Sequence, residues 1–463
     1  MRRFLTACAT LMLLLATAEL ANAATPRRRP RRSLPLPPDL VWHVETLDGQ
    51  PVSSYRGDEA INPASVVKVA TTLWALDSLG PEYRWETRVW ARGRVDKAKR
   101  TLFGDLVVQG SGDPDFHAEN AFLLARALNE MGIERVTGAL IVNSRFWIGW
   151  ENGSEGREAD PIKRGMLMAT RLRQAFNPRG WDRMTRWAWK EFSTRRNWTM
   201  PEPPRVTVAR GIGVDGTSNL GTLLVVHRSQ PLMAVLRRFN CFSNNDIERI
   251  GENIGPVSKL TDLVASRTAV PRESVVLATA SGLGTNRLTP LTVVRLLREL
   301  RAQAGRDGIR PELLLPVAGC GPSTVTRFFP ELSVGPNATA LVGKTGTLTT
   351  TDGGIAALAG FVKTAQGEFV FCVASPRAGR HLKGARDAEE KWVVDFLAGH
   401  GGGEARQCGP ELAPPDAGAA IMLVEESLPE PIPAQPAVSG APLLLGVPPP
   451  VPPPATVPLL IRR

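Results

Sequence analysis

The spacing of apolar residues predicts a buried helix near the start of the folded chain. Its apolar face is helically spaced and consists of Val66, Val69, Leu73 and Leu76. The pattern stops at Gly80-Pro81, a pair typical of a helix end. We therefore expect a helix over residues 65–79 with its apolar face in the core. Residues 40–45, just before it, have the composition of a strand.

Apolar runs in the second half of the chain predict an antiparallel sheet. Three strands are expected over residues 338–349, 355–363 and 368–375, and a short turn over residues 364–367 joins the last two. A second helically spaced face comprises Leu232, Val235, Leu236 and Phe239. It predicts a helix that ends just before Cys241, followed by a loop that leads into another helix.

Between these regions, from about residue 92, the pattern changes. Strands are predicted over residues 101–109 and 136–142, and a helix over residues 121–131. Residues 145–200 are rich in Trp and Arg with weak periodicity; the tryptophans could stack on sugar rings or simply fill a core. We expect one main domain in two parts, 38–90 and 211–400, with a smaller domain, 91–210, inserted between them.

Both ends of the chain have a composition unlike that of a folded domain. Residues 1–23 combine two arginines, an apolar stretch and the small-x-small site Ala21-Asn22-Ala23, which is typical of a cleaved secretory signal peptide. An uncleaved anchor is the alternative. Residues 24–37 are predicted to be a Pro/Arg-rich linker, and residues 401–463 a Pro-rich disordered tail. We therefore expect an exported, periplasmic protein.

Composition and charge narrow the classes of partner. The chain has 463 residues, of which 43% are hydrophobic and 22% charged, as in ordinary soluble globular proteins. Its net charge of +11 suits an anionic neighbourhood such as nucleic acid, lipid headgroups or a cell-wall polymer. Export and the lack of a zinc-finger or RNA-binding signature argue against nucleic acid. Membrane contact is expected to be at most peripheral, through the basic run 27–32.

Four cysteines follow the signal segment: Cys241, Cys320, Cys372 and Cys408. Export permits disulfides, and four cysteines allow three full pairings that the sequence does not separate. Isolated buried thiols and at least one bridge both remain open. The spacing matches no metal site, and we expect no metal or organic cofactor.

The candidate chemistry lies in three short motifs. Ser65-Val66-Val67-Lys68 would place a hydroxyl and an amine one helical turn apart, as a nucleophile and its base. Ser243-Asn244-Asn245 and Lys344-Thr345-Gly346-Thr347 follow in order. Taken singly, the first motif could be a capped helix start, the second a polar turn and the third a charged residue on an edge strand. Together they form the signature of penicillin-recognising serine acyl enzymes.

The same residues and their surroundings carry a resemblance to a known family. The first block runs from Pro63 to Pro81 and continues in Gly104-Asp105-Leu106 and Gly110-Ser111-Gly112-Asp113-Pro114. The second and third blocks are 227–245, from His227-Arg228-Ser229, and 344–362. Over roughly residues 40–380 the chain resembles the D-alanyl-D-alanine carboxypeptidases of peptidase family S13, the class C low-molecular-mass penicillin-binding proteins.

The resemblance implies both a fold and a chemistry. The fold would be α+β, a serine β-lactamase/DD-transpeptidase-like domain whose antiparallel sheet is flanked by helices, with an inserted smaller domain. The substrate would be a peptidoglycan stem peptide ending in D-Ala-D-Ala. Ser65 would form the acyl-enzyme, with Lys68 as base and Ser243 as proton relay. The remaining site residues would bind substrate: Asn245, Lys344, Thr345, Gly346 and Thr347. β-Lactams would inhibit by acylating Ser65.

Three departures from the family pattern bear on substrate range. The insertion is short, Asp246-Ile247-Glu248-Arg249 follows the second motif, and Ser281-Gly282-Leu283-Gly284-Thr285-Asn286 replaces a more polar loop. Activity on cross-bridges as a DD-endopeptidase is therefore open. A β-lactamase-like hydrolase and a low-turnover wall-binding protein of the same fold are the alternatives.

Overall fold

The structure is a computed structural model that describes residues 39–149, 158–199, 202–215, 220–415 and 419–423. The predicted signal peptide, the predicted linker and residues 424–463 of the predicted tail lie outside the described residues. None of the described helices combines the length and the apolar character needed to cross a membrane.

The described residues form two sheets with helices packed around them. The strands are β1 (Val41–Thr46), β2 (Pro51–Tyr55), β3 (Glu86–Asp96), β4 (Thr101–Gly110), β5 (Arg135–Val136), β6 (Leu140–Val142), β7 (Thr207–Val208), β8 (Ile212–Val214), β9 (Thr222–Ser229), β10 (Leu341–Leu348), β11 (Ile355–Thr364), β12 (Gly367–Pro376) and β13 (Ala419–Leu423). The α-helices are α1 (Lys68–Leu79), α2 (Ala118–Glu130), α3 (Pro161–Ala175), α4 (Arg183–Arg195), α5 (Leu232–Phe242), α6 (Ile247–Ile254), α7 (Val257–Thr268), α8 (Pro290–Arg306), α9 (Thr324–Phe328) and α10 (Leu382–Gly399).

The first sheet is antiparallel throughout, in the order β10-β11-β12-β1-β2. Alternate residues point to opposite faces, as strand geometry requires. On β12, Val370 and Cys372 pack on the side of α1 and α8, whereas Phe371 and Val373 pack on the side of α10. The predicted antiparallel strands β10, β11 and β12 and the α+β class with flanking helices are confirmed.

Helix α1 runs through the middle of the larger core. Every residue from Lys68 to Leu76 is buried, because α5, α6, α7 and α8 surround the helix and the sheet covers it. A 3₁₀ turn, Ala64–Val67, precedes it and places Ser65 just before the first α-helical residue. The helix ends at Gly80, whose φ of 77° is accessible to glycine without strain. The predicted buried helix is confirmed.

The second sheet has the strand order β13-β9-β3-β4-β5-β7, with β6 beside β4 and β8 beside β6. Helices α2 and α3 cover it and close a separate apolar core. The predicted limits of the inserted domain, residues 91–210, remain a prediction. The sheet itself takes in β3, from Glu86, and β9, up to Ser229, on either side of those limits.

The Trp-rich region contains two helices, α3 and α4, that the weak periodicity did not predict. Its tryptophans divide between core and surface. Trp181 is 4% exposed and stacks near Phe122 in a small aromatic core, with Trp189 and Trp198 alongside. Trp187, on the outer face of α4, is 57% exposed. Most of this aromatic surface therefore stabilises the fold.

The segment after α10 corrects the prediction of a disordered tail from residue 401. Cys408 forms a disulfide with Cys320, and β13 pairs with β9 in the second sheet. Leu412 is buried in the larger core. These long-range contacts order the segment, although its local composition is unfavourable for structure. The two open alternatives for the cysteines are both realised, because Cys241 and Cys372 are buried free thiols.

The disulfide should contribute measurably to stability. It closes a loop with a sequence separation of 88 residues, and a crosslink of this kind typically contributes about 2–4 kcal/mol by restricting the unfolded chain. We expect Cys408→Ser to lower the denaturant midpoint, and a reductant to lower that of the wild type to a similar value. The variant serves as the control, since reductant should leave its midpoint unchanged. Equal midpoints for the wild type and variant without reductant would contradict the prediction.

Candidate active site

The first motif brings its hydroxyl and amine into direct contact. Lys68 Nζ donates a hydrogen bond to Ser65 Oγ over 2.8 Å. Ser65 is partly accessible, whereas Lys68 is fully buried. Two further oxygens accept from Lys68 Nζ: Asn245 Oδ1 at 3.0 Å and the carbonyl of Ser281 at 2.7 Å. The side-chain nitrogen of Lys68 is therefore held on three sides, and Ser65 is one of its partners.

The surroundings of Lys68 favour its neutral form. Burial, reinforced by the positive charge of Lys344, holds the pKa of Lys68 well below its ordinary value, and Glu248 opposes this shift only in part. A neutral amine can accept a proton, whereas an ammonium cannot. The geometry and the pKa direction together equip Lys68 to deprotonate Ser65.

The second motif lies on the loop between α5 and α6, as predicted. Ser243 ends α5 in the left-handed conformation, with φ 54°. Asn244 turns inward, and its Oδ1 accepts from the backbone N–H of Asp246 at 2.9 Å, which closes the loop. Asn245 reaches Lys68 from the other side. Ser243 and Asn245 thus contact the two lysines, while Asn244 stabilises the loop.

The third motif occupies β10, next to the start of α1. Lys344 Nζ donates to Ser243 Oγ at 2.9 Å and to the carbonyl of Thr345 at 2.8 Å. Burial lowers the pKa of Lys344 to about 7. The hydroxyl of Thr345 donates to Thr324 Oγ1 at 2.8 Å. The second and third motifs are therefore joined at Ser243, and the first and second at Asn245.

A close backbone approach requires glycine within the third motif. A Cβ at Gly346 would lie 2.4 Å from the carbonyl oxygen of Pro63. No larger residue could occupy this position without moving β10 away from the turn that carries Ser65. Gly346 is consequently a spacing requirement of the site.

A loop that the sequence marked only as unusual completes the surroundings of Lys68. The Glu248 carboxylate accepts from the N–H groups of Ala280 and Ser281, at 3.1 and 2.7 Å. This fixes the Ser281 carbonyl that accepts from Lys68. Gly282 allows the approach, since a Cβ there would lie 2.0 Å from the carbonyl oxygen of Ala64. The glycines at positions 282 and 284 are the one sequence signal that could have indicated close packing of this loop.

Other contributors carried no signal in the sequence. Asn62 Nδ2 donates to the Gly284 carbonyl at 2.9 Å and to Asp352 at 2.7 Å, which ties the loop to the end of β10. Arg386 Nη2, from α10, donates to Thr347 Oγ1 at 2.9 Å. Among the described residues, no group of three or more His, Cys, Asp or Glu side chains is arranged to hold a metal ion.

Curated relatives of the chain include D-alanyl-D-alanine carboxypeptidases. The protein DacB from Haemophilus influenzae is 27% identical over 104 residues, and the enzyme from an Actinomadura species is 31% identical over 104 residues. The matched segment is 22% of this chain in both cases, and it spans only 21% and 19% of those proteins. A carboxypeptidase of Mycobacterium tuberculosis is 26% identical over 385 residues, 74% of this chain and 77% of that protein.

Solved structures share the fold at low identity. A predatory endopeptidase from Bdellovibrio bacteriovorus matches with a TM-score of 0.69 at 23% identity, over 82% of this chain and 99% of that one. Penicillin-binding protein 4 from Haemophilus influenzae matches with a TM-score of 0.54 at 17% identity, over 78% and 97% of the two chains.

A family match covers most of the chain and includes all three motifs. Residues 41–164 and 204–394 match the D-Ala-D-Ala carboxypeptidase 3 (S13) family. The two matched segments contain strands of both sheets. The family resemblance is therefore not limited to the three motifs. The chain belongs to the D-Ala-D-Ala carboxypeptidase 3 (S13) family of serine peptidases.

Proposed function

We propose that this protein is a serine-type D-Ala-D-Ala carboxypeptidase that acts on peptidoglycan stem peptides through an acyl-enzyme on Ser65. The observation that carries the proposal is the 2.8 Å contact between Lys68 Nζ and Ser65 Oγ, with Lys68 fully buried and its pKa depressed. The predicted signal peptide supports a periplasmic location, where this substrate is found.

The acylation step follows from this geometry. Neutral Lys68 takes the hydroxyl proton of Ser65 as Oγ attacks the carbonyl of the penultimate D-alanine. The N–H groups of Ser65 and Thr347 stabilise the oxyanion that forms. When the C–N bond breaks, the proton that Lys68 took from Ser65 has to reach the leaving amine, and we assign the relay to Ser243, whose Oγ accepts from Lys344 Nζ. D-Alanine leaves and Ser65 carries the acyl group as an ester.

Substrate binding is assigned to the remaining motif residues. The amide of Asn245 offers a donor and an acceptor to the peptide backbone. Gly346 gives substrate access along β10, and Lys344 with the hydroxyls of Thr345 and Thr347 is assigned to the terminal carboxylate of the substrate. Water then hydrolyses the ester, with Lys68 as the base, and regenerates Ser65. A β-lactam presents a comparable carbonyl and carboxylate, so it acylates the same residue.

The alternatives fit the site less well. In class A β-lactamases a glutamate activates the water for rapid deacylation. Glu248 is the carboxylate nearest to this role, but both its oxygens accept backbone N–H groups of the neighbouring loop. A wall-binding protein without turnover would have no need for the paired Ser65 and Lys68. The site therefore favours slow release of a β-lactam and rapid release of D-alanine.

Cleavage of peptidoglycan cross-links is a second candidate activity. Two proteins with this fold are named predatory endopeptidases of Bdellovibrio bacteriovorus, and one of them is described as acylated by penicillin G. Incubation with a purified cross-linked muropeptide dimer, followed by mass spectrometry, tests this activity. Monomers support it, and loss of D-alanine alone restricts the enzyme to carboxypeptidase action.

Replacement of the nucleophile tests the acyl-enzyme directly. We expect Ser65→Ala to abolish the covalent penicillin adduct seen by intact mass for the wild type, and D-alanine release to fall to background. The hydroxyl is absent in this variant, whereas the fold should be retained because Ser65 is partly exposed. Thr285→Ala is a control, since Thr285 is an exposed hydroxyl on the neighbouring loop. An adduct that persists in Ser65→Ala would place the nucleophile elsewhere.

The pH dependence tests Lys68 as the base. The rate constant kcat/KM should fall as the pH drops below the pKa of Lys68, because the protonated amine cannot accept the Ser65 proton. The negative charge of Glu248 raises that pKa, so Glu248→Gln should lower it further and move the acid limb of the profile to lower pH. We also expect kcat to fall about tenfold, since a charged hydrogen-bond acceptor is lost.

The matched control for this experiment is Glu252→Gln, on the exposed side of the same helix α6. It removes one negative charge from an exposed position of the same helix, so its profile should overlay that of the wild type. A Glu248→Gln profile that moves to higher pH, or does not move, would contradict the assignment of Lys68.

A further inference from the structure

Arg386 contacts the third motif from a helix that the sequence did not connect with the site. It lies in the first half of α10, and its Nη2 donates to Thr347 Oγ1 over 2.9 Å. An arginine side chain has hydrogen-bond donors and no acceptor. Thr347 must therefore accept in this contact, which leaves its own O–H free to donate to another acceptor.

The guanidinium is held in one orientation by an aromatic ring. Its central carbon lies 3.7 Å from the centroid of the Phe328 ring, a cation–π contact. Phe328 ends the short helix α9, and the first residue of that helix, Thr324, accepts from Thr345. The hydroxyls of Thr345 and Thr347 are thus positioned by Thr324 of α9 and Arg386 of α10, respectively.

The charge of Arg386 is available for a ligand. Among the described residues, its hydrogen bond goes to a neutral hydroxyl, and no carboxylate lies within ion-pair distance. Glu389, one turn further along α10, is fully buried, and burial raises its carboxyl pKa well above the ordinary value. This shift favours the uncharged carboxylic acid at Glu389, and the Arg386 guanidinium opposes it only in part.

Lys344 supplies less charge at this end of the site. Its ammonium is committed to Ser243 and to the Thr345 carbonyl. Its pKa of about 7 means that it is only partly protonated at neutral pH. Burial lowers the pKa of Arg386 as well, but a guanidinium starts so high that it keeps its proton. Arg386 is therefore a permanent cation in direct contact with the motif.

We propose that Arg386 binds the free C-terminal carboxylate of the substrate, together with the hydroxyl of Thr347. The guanidinium would offer its remaining N–H groups to the carboxylate, and the O–H of Thr347 would donate alongside, a charge-assisted arrangement that requires a free C-terminus. This inference rests on the proposed carboxypeptidase function and names a substrate-specificity residue for it.

The test compares an acyl-D-Ala-D-Ala peptide with its C-terminal amide, and penicillin G with its methyl ester. In Arg386→Gln we expect kcat/KM for the free acid to fall about 10- to 100-fold, the loss expected for hydrogen bonds to a charged group. The amide and the ester should react at nearly wild-type rates. Arg386→Lys should be intermediate, because an ammonium keeps the charge but not the fork of donors.

Lys383→Gln is the matched control. Lys383 lies one turn before Arg386 on α10, is exposed, and pairs with Asp387. Its removal deletes one positive charge from the same helix without touching Thr347, so the acid-to-amide ratio should stay at the wild-type value. If Arg386→Gln lowers acid and amide rates equally, Arg386 supports the fold and the inference is overturned.

The outcome for the wild type separates this inference from the proposed function. If the wild type neither releases D-alanine nor forms a Ser65 adduct with penicillin G, the proposed function itself fails. If the wild type is active and Arg386→Gln retains its preference for the free acid, only the assignment of Arg386 fails.

Discussion

Two lysines buried beside two serines form the constraint on which the rest of the structure depends. Lys68 and Lys344 are both inaccessible to solvent, and their partners in the described part of the chain are hydroxyl, amide and carbonyl oxygens rather than carboxylates. An ammonium removed from water without an anionic partner is unstable, and it responds by losing its proton. The chemistry of the site therefore requires a framework rigid enough to hold both amines in this environment.

Close backbone packing provides that framework. Helix α1 is buried over nine consecutive residues, and glycines at positions 346 and 282 let β10 and the loop 279–286 approach the turn of Ser65 closely. Two non-glycine residues of the site adopt left-handed backbone, Ala64 with φ 49° and Ser243 with φ 54°. Such conformations cost of order 1–3 kcal/mol and persist where the surrounding packing determines them. Here they aim Ser65 and Ser243 at the two lysines.

The parts of the fold that follow a simple period could be predicted from the sequence. Helix α1 and strands β10 to β12 carry regular apolar patterns, and the structure confirms them. Helices α3 and α4 were missed because large apolar residues lie on both faces. In α4, Met184 and Trp187 are exposed whereas Phe192 is buried, so the apolar positions show no clear helical period. The ordered segment after α10 was missed because a disulfide and a strand pairing hold it, and neither depends on local composition.

The same distinction applies to the site. Side chains with a motif spacing could be named in advance, and the structure brings Ser65, Lys68, Ser243, Asn245 and Lys344 together. The role of the Ser281 carbonyl could not be predicted. Every residue has a backbone carbonyl, and only the fold determines which of them accepts from Lys68. Glu248 and Arg386 are ordinary surface-type residues in sequence and become special through what they contact.

Their surroundings give three basic side chains, Lys68, Lys344 and Arg386, different tendencies to hold a proton. Burial holds the pKa of Lys68 well below its ordinary value, the pKa of Lys344 beside Ser243 is about 7, and the guanidinium of Arg386 remains charged. A base and an anion-binding group have opposite requirements, since one must be neutral and the other charged. Burial of both lysines favours their neutral forms, and under the proposed assignment the charge that binds the substrate carboxylate comes instead from Arg386 on α10.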